Sequence, residues 1–197
     1  LSGVINLPAT TALGADGVIY INAQTFLHSY GGLTNAFVGA VAGNFTLTGT
    51  SNTGFGFNVL NDLTTGIGNT GSGYLSLDKC TSGSNNVAAG IQSLRSITTG
   101  GFNTGIGSDA GTNIVTGSLN TLIGSSAGAA YTGESNNIAI GSQGVIADSN
   151  TIRIGTNGTH TATYIAGIDG VNVGLVAEVV TMGTGALANK LGTAIIT

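Results

Sequence analysis

Apolar and polar residues between 35 and 141 fall into fixed columns. Asparagine stands at Asn35, Asn52, Asn69, Asn86, Asn103, Asn120 and Asn137, each 17 residues after the last. A glycine follows each by four residues, at Gly39, Gly56, Gly73, Gly90, Gly107, Gly124 and Gly141. A fixed period of this length predicts a stack of short units, each laid on the one before. The three residues after each asparagine are read as a strand, with side chains alternating between faces. The first column is Ala36, Thr53, Thr70, Val87, Thr104, Thr121, Ile138; the third is Val38, Phe55, Ser72, Ala89, Ile106, Ile123, Ile140. Both are mostly apolar or β-branched, and both are expected to face the inside of a narrow coil. The column between them, Phe37, Gly54, Gly71, Ala88, Gly105, Leu122, Ala139, is mostly small. It is expected to admit close approach of another backbone.

A second glycine column, Gly49, Gly66, Gly83, Gly100 and Gly117, follows Thr or Ser each time. It reads as the other corner of the coil, where positive φ favours glycine. Each repeat is thus expected to hold two short strands and two turns. Helices are disfavoured, since each glycine costs a helix about 1 kcal/mol relative to alanine. The expected fold is all-β, a parallel β-solenoid of about seven 17-residue coils, roughly 35 Å long at about 4.8 Å per coil. In the sixth unit the corner glycine, Gly133, comes one residue early and Glu134 takes its place. Ile140-Gly141 is then repeated at Ile154-Gly155, an interval of 14. The expected organisation is therefore an N-terminal cap or linking segment at 1–34, solenoid repeats at 35–141, a shorter-period coil at 142–170 and a C-terminal cap at 171–197. Caps are needed because solenoid ends expose unpaired strand edges.

Composition narrows the function. Of 197 residues, 6% are charged, 41% are hydrophobic, 35 are glycine and one is proline, and mean hydropathy is +0.37. Disordered chains carry more charge or proline than this, and collagen needs glycine at every third position. Four basic residues, Lys79, Arg95, Arg153 and Lys190, against a net charge of -4 leave no footprint for nucleic acid. No run of about 18 apolar residues suggests a membrane-spanning helix. The chain begins at Leu1 without a charged and apolar leader, so it is expected to be a processed product or part of a longer one. A 17-residue coil encloses little volume, and its apolar side chains have almost no charge to keep them soluble. Association of three copies about a common axis is the expected remedy.

The N-T-x-I-G units with T-G corners, followed by SNNIAIGSQGVIADSNTIRIG at 135–155, resemble the head repeats of trimeric autotransporter adhesins and related phage and bacterial tail-fibre proteins. NTIRIGTNGTHTATYIAGIDGVNV at 150–173 and KLGT at 190–193 resemble the segment before a C-terminal intramolecular chaperone in fibre proteins. The resemblance implies parallel β-rolls, three chains wound into one rod, and an extracellular, cell-surface or virion location. It implies a non-enzymatic structural fibre or adhesin, self-assembling as a homotrimer and facing a host or surface glycan or protein, without inserting in a membrane. The alternatives are a polymerising filament subunit and a glycan-cleaving tailspike.

Candidate chemistry is thin. G-x-G patterns such as Gly54-Phe55-Gly56 recur in many coils, whereas a dinucleotide site needs them once, between a strand and a helix. His28 and His160 lie in opposite flanks and lack metal-ligand spacing. Cys80 stands alone and reads as a small buried apolar residue. Asp62 and Asp78 occupy nearly adjacent columns of successive coils, and paired carboxylates serve glycosidases; solvated turn residues are the preferred reading. Thr53, Thr70, Thr104 and Thr121 form a ladder of the kind that orders water in ice-binding solenoids, but Ala36, Val87 and Ile138 break it and its expected facing is inward. No catalytic, cofactor or metal residue is assigned.

Overall fold

The computed structural model describes residues 18–21, 24–30, 34–156, 158–160, 179–182 and 191–194. The chain divides into two compact units, Leu1–Gly155 and Thr156–Thr197. The first holds a ten-stranded sheet in sequential order. Its strands are β1 (Ile19–Ile21), β2 (Gln24–His28), β3 (Ala36–Val38), β4 (Thr53–Phe55), β5 (Thr70–Ser72), β6 (Val87–Ala89), β7 (Thr104–Ile106), β8 (Thr121–Ile123), β9 (Ile138–Ile140) and β10 (Ile152–Ile154). From β3 to β9 every strand pairs parallel with the next in a register of 17 residues, as in Thr53↔Thr70 and Gly105↔Leu122. The last step, Ile138↔Ile152, is 14. The protein is a parallel β-solenoid of about seven turns with about 17 residues per turn. Among its described residues the second unit holds an antiparallel pair, β11 (Val179–Met182) with β12 (Leu191–Ala194); most of the expected cap at 171–197 lies outside the described residues.

Each repeat contributes one strand instead of the two expected. Opposite the strand the backbone turns twice through left-handed conformations, at Asn58 and Leu60, Leu75 and Leu77, Gln92 and Leu94, with φ between 49° and 56°. No extended run survives two such residues. Hydrogen bonding between coils continues all the same, as in Asp62 N to Asp78 O at 3.1 Å and Thr64 N to Thr81 O at 2.9 Å.

The strand facing is the reverse of the expectation. Side chains of the first and third columns point outward, and the intervening column is buried: Phe37, Leu122 and Ala139 are each 0% exposed. The reason is volume. The far wall of the coil already sends in Val59, Leu60, Leu63, Leu77, Leu94, Ile97 and Ile114, leaving opposite them the room of a hydrogen atom or a methyl group. A Cβ on Gly71 would stand 2.5 Å from Val59 Cγ2. Where the strand does send a large side chain inward, the far wall gives way to glycine. A Cβ on Gly43 would meet the Phe37 ring at 2.6 Å, and one on Gly128 would meet Leu122 Cδ2 at 2.5 Å. Leu60, Leu77 and Leu94 occupy the corresponding position in coils whose strand carries Gly54, Gly71 and Ala88. The core is thus filled by exchange of size across and between coils, at the close packing that interiors require. Gly111, in the coil whose strand carries Gly105, would place a Cβ 2.6 Å from Leu122 Cδ1 of the next coil.

The second glycine column also has a different cause from the one expected. Gly49, Gly66, Gly83, Gly100 and Gly117 are not in the left-handed region; a Cβ on Gly49 would lie 1.9 Å from Gly66 O in the next coil. Coil-to-coil contact, rather than φ, demands glycine there. Positive φ belongs instead to the column after each strand, with Gly56 at 139° and Gly90 at 137°.

The asparagine column is a buried hydrogen-bond ladder. Each Oδ1 accepts the backbone N–H of the asparagine one coil on, at 2.8–3.0 Å from Asn52 through Asn137. The amide of Asn86 also donates to Asn69 Oδ1 at 3.1 Å and to Gly100 O at 2.9 Å. Buried polar groups are tolerated only when paired in this way.

Candidate interaction surface

With the facing reversed, the outward surface of the parallel sheet consists of two columns, the first alternating threonine with Ala, Val and Ile and the third mostly apolar. Phe55 is 62% exposed, Ile106 44% and Ile154 60%; Val87, Ile123, Ile138, Ile140 and Ile152 are exposed beside them. Neither column contains a charged residue. Eight parallel strands of three residues make a strip of roughly 35 by 10 Å from the standard strand spacing and rise. A strip of about that area is as large as the largest apolar patch on a typical soluble protein, and such patches are often functional. Exposed rings extend its border: Phe57 and Tyr74 stack on each other in successive coils, centroids 5.6 Å apart and 13° from parallel. Phe102 and Leu119 hold bulky apolar side chains outward from left-handed backbone, at φ 59° and 61°. Elsewhere in that column stand Ser51, Gly68, Asn85 and Asn136, three of them residue types suited to positive φ.

The threonine ladder lies on this outward strip, contrary to its expected inward facing: Thr53 and Thr70 are exposed. The interruptions at Ala36, Val87 and Ile138 remain, and Phe55, Ile106 and Ile123 alternate with the hydroxyls across the strands. Such a surface has the composition of a protein contact rather than of a regular hydroxyl lattice.

The two candidate carboxylates do come together, around one cation. Lys79 Nζ lies 3.1 Å from Asp62 Oδ2 and 3.4 Å from Asp78 Oδ2. Asp78 is buried, and its other oxygen accepts the Asn58 amide at 2.6 Å. Arg95 Nε stands 3.9 Å from the same carboxylate. Hydrogen bonding to Asp62, followed by the charge of Asp78, raises the Lys79 pKa. The arrangement is a stripe of alternating charge across three coils, with its carboxylate oxygens held by side chains of the same stripe.

His28 and His160 do not meet any metal-binding set; among the described residues no group of three or more His, Cys, Asp or Glu side chains could hold a metal ion. His160 is exposed, and its Nδ1 accepts the Thr156 N–H at 2.8 Å. His28 is buried under the first coil, against Phe37 and Phe45. Cys80 lies in the core, where burial pushes its thiol up to about 12; thiolate chemistry is closed to it. No helix among the described residues is long and apolar enough to cross a membrane.

One structural site escaped the sequence reading although its residue was singled out. Glu134, in the glycine register, keeps the ladder intact by accepting the Asn120 amide on its backbone oxygen at 2.9 Å. Its carboxylate accepts N–H groups from Gly133 at 2.9 Å and Ala147 at 2.8 Å, and also from Thr132. Burial alone would raise its pKa, but the backbone donors of Ala147, Thr132 and Gly133 outweigh burial and hold it at about 2. Glu134 thereby ties the last 17-residue coil to the 14-residue one. Arg153, in the inward column of β10, pairs with Asp148. Tyr131 fills the same seam, fully buried with its hydroxyl unpartnered.

No family model, no curated protein and no solved structure matches the chain, so the β-solenoid stands on the chain's own register and burial.

Proposed function

We propose that this chain is a non-enzymatic structural fibre or adhesin segment of a cell surface or virion, and that it works as a homotrimer, three strips packed face to face about the rod axis. The observation carrying this reading is the uncharged, apolar, outward face of the parallel sheet. Water on one side of such a face costs about 25 cal/mol for each Å² left exposed, and a second and third copy offer the same chemistry at the same spacing. The resemblance to trimeric adhesin heads and tail fibres supports the stoichiometry and the extracellular setting. The remaining faces, lined by threonine, serine and the Asp62–Lys79–Asp78–Arg95 stripe, are left to meet solvent and a host or surface glycan or protein.

Native mass measurement tests the reading directly: three chains are expected, and a monomer at micromolar concentration would overturn it. The filament alternative is less favoured because β2 already covers the edge of β3 within one chain. The tailspike alternative loses its candidate pair to Lys79, which engages both carboxylates. A glycan-cleavage screen of the unmodified chain and of Asp62→Asn is expected to show no activity in either.

A further inference from the structure

The solenoid begins under a lid. β2 runs antiparallel to β3, pairing Leu27 with Val38 and His28 with Phe37, and β1 continues the sheet beyond it. His28 is the side chain that this lid sends into the first coil, and it is 2% exposed. Its two ring nitrogens have partners of fixed role. Nε2 lies 2.5 Å from the carbonyl oxygen of Ala42, which can only accept, so Nε2 carries the hydrogen. Nδ1 receives the backbone N–H of Tyr30 at 3.3 Å, which can only donate, so Nδ1 is bare. The seat is cut for one neutral tautomer.

We propose that His28 is an acid-released latch: protonation at Nδ1 expels the ring from the first coil, lifts β2 and uncovers the edge of β3. The proton would stand against the Tyr30 N–H, removing one hydrogen bond and setting two donors nose to nose. Among the described residues the new charge would have no counter-ion beside it. From residue 24 to 61 the chain has no Asp, Glu, Lys or Arg, and its titratable side chains there are His28 and the Tyr30 phenol. Phe45, stacked at 4.6 Å, and Phe37, at 5.0 Å, offer a cation some attraction from their ring faces. That is smaller than the cost of keeping an unpaired charge out of water. Burial accordingly lowers the His28 pKa, against the opposing effect of the Ala42 carbonyl. The sign follows: the open lid binds the proton more readily than the closed one. The latch is therefore fully effective above the ordinary histidine value of about 6.5 and weakens by up to tenfold per pH unit below it.

Among the described residues β2 pairs with β3 at two positions, with one further backbone bond from Gly39 N to Phe26 O at 2.7 Å. That register is shorter than the three-residue pairings in the rest of the sheet, so β2 has little else to hold it once the ring leaves. The test is a pH titration of the full chain by NMR, following the His28 imidazole and the amides of β2, β3 and β7. The His28 signal, assigned by its loss in His28→Gln, is expected to titrate below pH 6.5, with β2 and β3 amides shifting at the same midpoint and β7 unmoved. In His28→Gln and His28→Phe the β2 amides should lose this acid dependence. Three results would overturn the latch: protonation of His28 with β2 undisturbed, no protonation down to pH 4, or the same acid opening in both variants.

Discussion

Glu134 and Tyr131 mark two opposite residue-scale solutions at the seam between 17- and 14-residue coils. Glu134 joins three backbone donors to one carboxylate, and its folded pKa of about 2 lies below the ordinary 4.5. The depressed value means that its contribution is complete above pH 4.5 and is lost as pH falls toward 2. Thermal melts between pH 6 and 2.5 should decline over that window, by on the order of 3 kcal/mol, and Glu134→Gln should start lower and flatten the decline. Tyr131 is the converse, a buried hydroxyl without a partner. Tyr131→Phe removes the desolvated group and keeps the ring, so the denaturant midpoint should hold or rise, by up to about 1–2 kcal/mol in stability. In the ladder, Asn86→Ala would strand the N–H of Asn103, now bound to Asn86 Oδ1 at 3.0 Å, and the buried carbonyl oxygen of Gly100, which accepts the Asn86 amide at 2.9 Å. Denaturant unfolding should register a loss of about 3 kcal/mol or more, since each orphaned buried group costs about 1–3 kcal/mol.

At the scale of the coil, size exchange between the strand and the far wall makes a sharper prediction than any single deletion. Gly128→Leu alone places a Cβ 2.5 Å from Leu122 Cδ2 and should destabilise strongly by overpacking. Leu122→Ala alone empties a fully buried site and should cost about 2–5 kcal/mol. Together they recreate the residue types of the fourth coil, where the same two positions hold Ala88 and Leu94. The double variant should therefore lose less than the two single losses combined, with a coupling of at least about 1 kcal/mol in a double-mutant cycle. Simple additivity would show that the two positions do not share one volume. Leu at position 128 can adopt the backbone required, since Leu60, Leu77 and Leu94 already stand at φ 52°, 54° and 49°.

For the whole molecule the outward strip separates folding from assembly. Ile106→Asn with Ile123→Asn alters two exposed side chains and should leave the stability of an isolated chain within about 0.5 kcal/mol. If the proposed trimer forms through this strip, the native mass of the variant should shift from three chains toward one. Loss of the fold itself in that variant, with aggregation or no cooperative melt even in dilute solution, would place those side chains in a core after all. Equally, a change of Phe37 or Leu122 to Asn should destroy the fold, because those positions in the same strands face inward.

The 17-residue period, the parallel stacking and the site of the narrowing at Ile140 and Ile154 were all legible in the residue order. Period is a property of the chain alone, and a stack of identical units has one register that keeps every column in line. Four features were not legible: the single strand in each repeat, the facing of the strands, the reason for the second glycine column, and the role of the asparagines. Alternation says that Thr53 and Phe55 share a face and Gly54 takes the other; it does not say which face is inside. That choice depends on how much volume Val59 and Leu60 already occupy across the coil, ten or fewer residues away in sequence but set opposite by left-handed turns at Asn58 and Leu60. Gly49 looks like a turn residue until the carbonyl of Gly66 is seen 1.9 Å from where its Cβ would be. Asn86 looks like a corner until its amide is found bonded to the coils on both sides. Local pattern determined what repeats; the contacts between one repeat and the next decided what each residue in it is for.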